Sequence, residues 1–328
     1  QPGLPQPRRL RDHTRGLTTT TRVSVKAEQA HTPRRVAELE PRIRAAAEAL
    51  AQGVARRIGA EGQADLVSEY ANPLPLMVIC DLFDVPEADR QPFSTWAATM
   101  LTPRRPSDAA EAIESIQKFL VALVDERRAR PGDDLLSDLI AARDEGERLS
   151  EDELISLAFL ILLAGSENTP HLISGGVLTL LEHPGQLAAV RADQSLLAPA
   201  VEELLRHTHP NQTAIRRFPT EPVDIGGVRI PAGDTVLLGL AAAHRDPERY
   251  ASADRFDVRR EDTAHLALGH GLHYCLGAPL ARLGLRVAFA TLLRALPALR
   301  LAAPVESLAW NTSFRSHALR QLPVTVTH

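Results

Sequence analysis

The chain has 328 residues, a formal charge of −4 and an apolar share of 44%, so it can bury a large core and carries no basic excess to attract nucleic acid. Its two cysteines, Cys80 and Cys275, are too few for a disulfide framework, and neither sits in a CxxC pattern of the kind that holds zinc. A reducing, cytoplasmic setting is the simplest expectation.

In chain order, Pro33–Ile58 places Val36, Leu39, Ile43 and Ala47 at helical spacing. Leu74–Phe83 is an apolar helical run in which Cys80 reads as a small core residue. Glu111–Arg128 and Asp133–Arg143 follow as helices. Ser150 and Glu153 form the S-x-x-E pattern of a capping box and open a long apolar helix. Its apolar run, Leu154–Gly165, is too short to span a bilayer, and no signal peptide is visible, so no membrane association is expected. Glu182-His-Pro184 ends a helical stretch, and Ala198–His207 is another helix. After His209 the pattern changes: Val223, Ile225, Val228 and Ile230, broken by Gly226-Gly227 and Pro231-Ala-Gly233, predict short strands and tight turns. A last helix runs from Ala278 to Leu296, and Val324–Val326 reads as a strand. With no Ser/Gly-rich linker or internal repeat, this predicts a mainly α fold with small β-sheets in the C-terminal half.

The chemistry concentrates in Leu268-Gly-His-Gly-Leu-His-Tyr-Cys-Leu-Gly277, followed by Ala278-Pro279. Gly269, Gly271 and Gly277 let the backbone take φ > 0 and approach a flat ligand, and Pro279 suits a first helical turn. The Cys275 sulfur would face the positive end of that helix, whose N–H groups favour a thiolate and a lowered pKa. Glu203 and Arg206 share one helix face at i, i+3.

The ten-residue stretch resembles the haem-binding signature of the cytochrome P450 family, F-G-x-G-x-H-x-C-x-G, with Leu268 in place of the phenylalanine. Glu203-Leu-Leu-Arg206 resembles the family's E-x-x-R. Ala253-Asp-Arg-Phe256 matches its third element, so the resemblance implies a structural network of Glu203, Arg206 and Arg255. It further implies heme b with Cys275 as the proximal iron ligand, and His273 on a haem propionate. Arg217 would hold a propionate too, with Arg216 beside it as the competing candidate.

The family's A-G-x-[D/E]-T motif corresponds to Ala164-Gly-Ser-Glu-Asn168, followed by Thr169 and Pro170. Ala164 and Gly165 would leave room for O₂, and Glu167 resembles the acid of the proton relay. Asn168 stands where the hydroxyl is usual, and an amide can donate a hydrogen bond but is no useful acid. Thr169 would serve only if Pro170 unwinds or rotates the helix locally.

The resemblance runs from residue 32 to 328 as one cytochrome P450 domain. Residues 1–31 read as a divergent or truncated N-terminal segment, in which His13 fits a propionate-binding position while Leu17 departs from the arginine expected there. The implied activity is a haem-thiolate monooxygenase acting on a small hydrophobic substrate, of polyketide or macrolide type. Ala164, Gln212, Ile215 and Phe314 correspond to pocket positions. No GxGxxG follows a predicted strand, so electrons are expected from a ferredoxin and its reductase, docking near Arg282 and Arg286 unless these are plain solvated residues. Oxidative coupling, peroxide-driven chemistry and a non-catalytic partner role are the alternatives.

Overall fold

The computed structural model describes residues 33–101, 105–144, 150–311, 313 and 315–326. His13 and Phe314 lie outside the described residues. The helices are α1 (Pro33–Glu61), α2 (Pro73–Leu82), α3 (Glu87–Leu101), α4 (Pro106–Ala129), α5 (Leu135–Asp144), α6 (Glu151–Glu182), α7 (Pro184–Ala192), α8 (Leu197–His207), α9 (Leu240–Ala243) and α10 (Ala278–Ala295). The strands are β1 (Ala64–Asp65), β2 (Val223–Ile225), β3 (Val228–Ile230), β4 (Leu299–Leu301) and β5 (Pro323–Val326). The mainly helical expectation holds, and the helices read from the apolar periodicity end within a few residues of it, but α3 (Glu87–Leu101) and α7 (Pro184–Ala192) were not expected.

β2 and β3 make an antiparallel hairpin with Val223 opposite Ile230. Its two-residue turn, Gly226-Gly227, has φ of 58° and 79°, the left-handed pair that suits the twist of a hairpin. A second antiparallel sheet has the order β1-β5-β4, with Val324 opposite both Ala64 and Leu301. One strand, β1, therefore comes from the N-terminal half, a departure from the expectation that sheets are confined to the C-terminal half.

The chain divides into two compact units: residues 80–162 belong to one, and 36–79 with 163–326 to the other. In the first, Phe119 of α4 packs on Phe93 and Trp96 of α3, with ring centroids 5.8 and 6.2 Å apart. The capping box forms as expected. Ser150 N–H donates to Glu153 Oε2 at 2.8 Å, and Glu153 N–H donates to Ser150 Oγ at 3.2 Å. Cys80 is fully buried, and burial pushes its thiol up to about 11, which suits a core residue without reactivity.

The second unit carries every described residue of the candidate site. Its core is built on α10, whose Leu285, Ala288, Phe289 and Leu292 are buried. The Tyr70 hydroxyl, also buried, donates to the Ala288 carbonyl at 2.8 Å. Among the described residues, no helix is long and apolar enough to cross a membrane.

Candidate active site

Residues 268–277 form a tight loop leading into α10. Cys275 N–H donates to Leu268 O at 2.8 Å and Tyr274 N–H to Gly271 O at 3.0 Å, while Leu268 is buried beneath. Gly269 has φ +80°, and a Cβ there would lie 2.9 Å from the His273 carbonyl oxygen, so only glycine closes the loop without strain. Gly277 departs from expectation. Its φ of −80° is open to any residue, and a Cβ would instead sit 4.0 Å from the Cys275 sulfur.

Cys275 and His273 are both exposed. Although the residue is open to solvent, protein atoms crowd the sulfur. This desolvation raises the thiol pKa, while the Gly277 N–H and the Arg282 guanidinium pull it down. The expected net lowering is therefore corrected. Helix-end N–H groups act as foreseen but are outweighed by burial, so the thiolate would form when a metal displaces the proton.

The donor set tests what could bind. Among the described residues no three His, Cys, Asp or Glu side chains gather as a metal site, whereas a protein-held ion needs three or four such ligands. A lone exposed thiol fits a metal that brings its own equatorial ligands, as iron in a porphyrin does. Haem fits these residues.

Behind the loop, Arg206 and Glu203 of α8 are buried and joined by two hydrogen bonds of 2.8 Å. Arg206 also donates to the carbonyls of His244 at 2.6 Å and Ala253 at 2.8 Å. Arg255 is not the third side chain. Its guanidinium is 67% exposed and pairs with Asp257 at 3.2 Å. Arg260, only 10% exposed, donates Nε–H to both Glu203 oxygens, at 3.1 and 3.2 Å. Phe256 turns inward and packs on His183 and His207, while Arg255, whose N–H closes a turn on Ser252 O at 3.0 Å, faces solvent. A turn closed by Arg260 N–H to Asp257 O at 3.0 Å then brings Arg260 back. Arg255 contributes its carbonyl, which accepts from Arg206 and Arg260 at 3.3 and 2.9 Å.

α6 runs unbroken through Pro170, so the local unwinding that would bring Thr169 into play is not present. Thr169 lies about 100° round the helix from Asn168. Asn168 Oδ1 accepts from Asn211 Nδ2 at 3.1 Å, and Glu167 pairs with Arg315 at 3.1 Å. The two partner segments are themselves joined, by a bridge of Asn211 with Ser316 and by Gln212 N–H to Arg315 O at 2.7 Å. Neighbouring side chains of α6 are thus held by one paired stretch of backbone. The missing side chain of Gly165 admits Ile79 of α2, since a Cβ would fall 2.3 Å from Ile79 Cδ1. Ala164 is exposed.

Arg217 bridges Val236 through its backbone and donates from Nη1 to the Ile215 carbonyl at 3.1 Å; Arg216 beside it is exposed. Of the expected pocket residues, Gln212 lines a cavity of about 430 Å³ with His171, His244, Trp310 and His317, whereas Ala164 and Ile215 do not line it. Burial lowers the pKa of both His171 and His244. Asn211, Arg315, Arg260 and Glu202 are site residues that the motifs did not point to; each is joined to its partner by a contact between distant parts of the chain.

An exposed cysteine on a glycine-pinned loop, backed by a buried Glu–Arg network, fits the class of haem-thiolate proteins. The sequence profile described as Cytochrome P450 matches residues 80–300. The chain is 45% identical over 305 residues to cytochrome P450 monooxygenase PikC of Streptomyces venezuelae, covering 93% of this chain and 73% of that protein. It is 42% identical over 309 residues to 6-deoxyerythronolide B hydroxylase of Saccharopolyspora erythraea, covering 93% and 75%. The crystal structure of the LnmA cytochrome P450 hydroxylase from the leinamycin pathway of Streptomyces atroolivaceus superposes with a TM-score of 0.87 at 39% identity, covering 93% and 79%.

The chain belongs to the cytochrome P450 family, as the motifs implied. It is an oxidoreductase of the cytochrome P450 monooxygenase type.

Proposed function

We propose that Cys275 is the ligand of a heme b iron and that the substrate is a macrolide or related polyketide. Cys275, an exposed residue with its thiol unpaired to any other cysteine on the Gly269-pinned loop, is the observation that carries the reading. The relatives from macrolide and polyketide biosynthesis supply the substrate class. The P450 domain is taken as residues 32–328. Bound there, haem would supply activation of O₂, with the thiolate pushing electron density toward the iron.

The chain's own residues hold and orient. His273 and Arg217 would take the propionates, guanidinium being always charged and suited to a carboxylate. Glu167, tethered by Arg315, would pass protons inward from solvent. Asn168 would hold a water or oxygen by its N–H₂ group, since its carbonyl is committed to Asn211. Electrons would come from a ferredoxin and its reductase. The exposed Arg286 is available for that docking, whereas Arg282 is ion-paired to Glu202 at 2.7 Å.

The test is a titration of the ferric protein with a panel of macrolactones beside a panel of fatty acids, followed by absorbance. A low-spin to high-spin shift with macrolactones is expected. A shift confined to the fatty acids would overturn the substrate class.

A further inference from the structure

Glu202 and Glu203 are consecutive on α8 and so point about 100° apart. Glu203 serves Arg206 and Arg260, as described. Glu202 faces the cysteine loop. It accepts a bidentate pair from Arg282, Nε to Oε1 at 2.7 Å and Nη2 to Oε2 at 2.9 Å, and a third bond from His265 Nε2 at 3.2 Å. His265 is oriented through its other nitrogen, where Ala267 N–H lies 3.3 Å from Nδ1, so Nε2 faces Glu202 with its hydrogen. Burial alone would raise the Glu202 carboxyl, but these bonds outweigh it and hold it at about 2. The remaining Arg282 nitrogen, Nη1, donates to the Tyr274 hydroxyl at 2.9 Å, and Tyr274 immediately precedes Cys275. Arg282 is thereby held against the residue next to the sulfur-bearing Cys275.

We propose that Glu202 is a positioning residue for the iron-binding loop. By fixing Arg282 on the Tyr274 hydroxyl and neutralising its charge, it sets both the seating of Cys275 and the electrostatic field at the sulfur. The proposal rests on Cys275 being the haem ligand. A guanidinium with its carboxylate in place presents a nearly neutral pair to the thiolate. Without the carboxylate a whole positive charge, held on the neighbouring Tyr274, faces it. Positive charge near the sulfur favours the reduced, more negative state of the centre.

The experiment uses the haem-loaded full chain and compares wild type with E202Q, R282Q and the E202Q/R282Q double variant. The reduction potential is measured by spectroelectrochemistry, with melting temperature alongside. E202Q is expected to raise the potential, R282Q to lower it, and the double variant to return it toward wild type. Shifts of opposite sign that cancel are a signature of charge which a purely structural brace does not produce. Equal potentials in all four proteins, or shifts of the same sign in both single variants, would overturn the proposal, whatever happens to stability. Should E202Q fail to retain haem, R282Q alone still decides, because an unchanged or raised potential there is fatal. The underlying reading is checked separately by Cys275→Ala, whose thiolate–CO band must vanish. A band that persists there would fault the ligand assignment itself.

Discussion

The Asn211 amide donates to Asn168 Oδ1 at 3.1 Å, and this bond decides which end of the Asn168 amide remains free to donate. A net hydrogen bond of about 1 kcal/mol corresponds to roughly a fivefold change in population of the held orientation. N211A is therefore expected to raise hydrogen peroxide release per reducing equivalent several-fold, with substrate binding little changed. Product formed per NAD(P)H consumed is the measurement, and unaltered coupling would show that Asn168 needs no such support.

The buried network separates two arginines five residues apart. E203A would leave the Arg206 guanidinium buried without its carboxylate and should cost about 3–5 kcal/mol. R255A removes an exposed side chain and should fall within about 0.5 kcal/mol of wild type. R260A should lie between them. Urea unfolding of the three variants ranks them, and an R255A loss matching E203A would restore Arg255 to the centre of the network.

Gly269→Ala places a side chain at φ +80° and against the His273 carbonyl. The left-handed backbone alone should cost about 1–2 kcal/mol. Haem retention after gel filtration should drop beside a parallel loss in melting temperature. Gly277→Ala, at φ −80°, should be far milder in stability.

Acid sensitivity follows from His244, which accepts Leu266 N–H at Nε2 at 3.0 Å and is buried. Burial, reinforced by His209, His265, Arg206 and Arg245, lowers its pKa to about 3. The folded form thus refuses a proton that the unfolded chain accepts below about 6.5. Stability attributable to this group is complete above about pH 6.5 and falls as pH drops toward 3, by up to about 1.4 kcal/mol per pH unit. H244Q places an amide oxygen where Nε2 sits, keeps an acceptor for Leu266 and should flatten the slope of unfolding free energy between pH 6.5 and 4. An unchanged slope would assign the acid sensitivity elsewhere, with His207, lowered to about 4 chiefly by burial, as the next group to replace.

Most of the helices, the cysteine loop and the Glu203–Arg206 pair were legible because each is a local pattern, written within a few residues and governed by periodicity, capping and glycine geometry; α3 and α7 show no such clear pattern and were missed. What escaped reading is long-range. Arg260 displaces Arg255 because Phe256 takes the inward position, and nothing in Ala253–Phe256 alone says which of two arginines will fold back. Asn211 and Arg315 reach Asn168 and Glu167 across 43 and 148 residues, so no spacing rule could pair them. The direction of the Cys275 shift was misread for a related reason: helix-end N–H groups are visible in the sequence, whereas the atoms that desolvate the sulfur arrive through packing.

The central claim, that Cys275 holds the iron, is tested most directly by the difference spectrum of the dithionite-reduced, CO-bound protein. Wild type is expected to show the red-shifted Soret band of a thiolate–CO complex, and Cys275→Ala to lose it. The same band in the variant, or a wild-type protein that takes up no haem, would contradict the account.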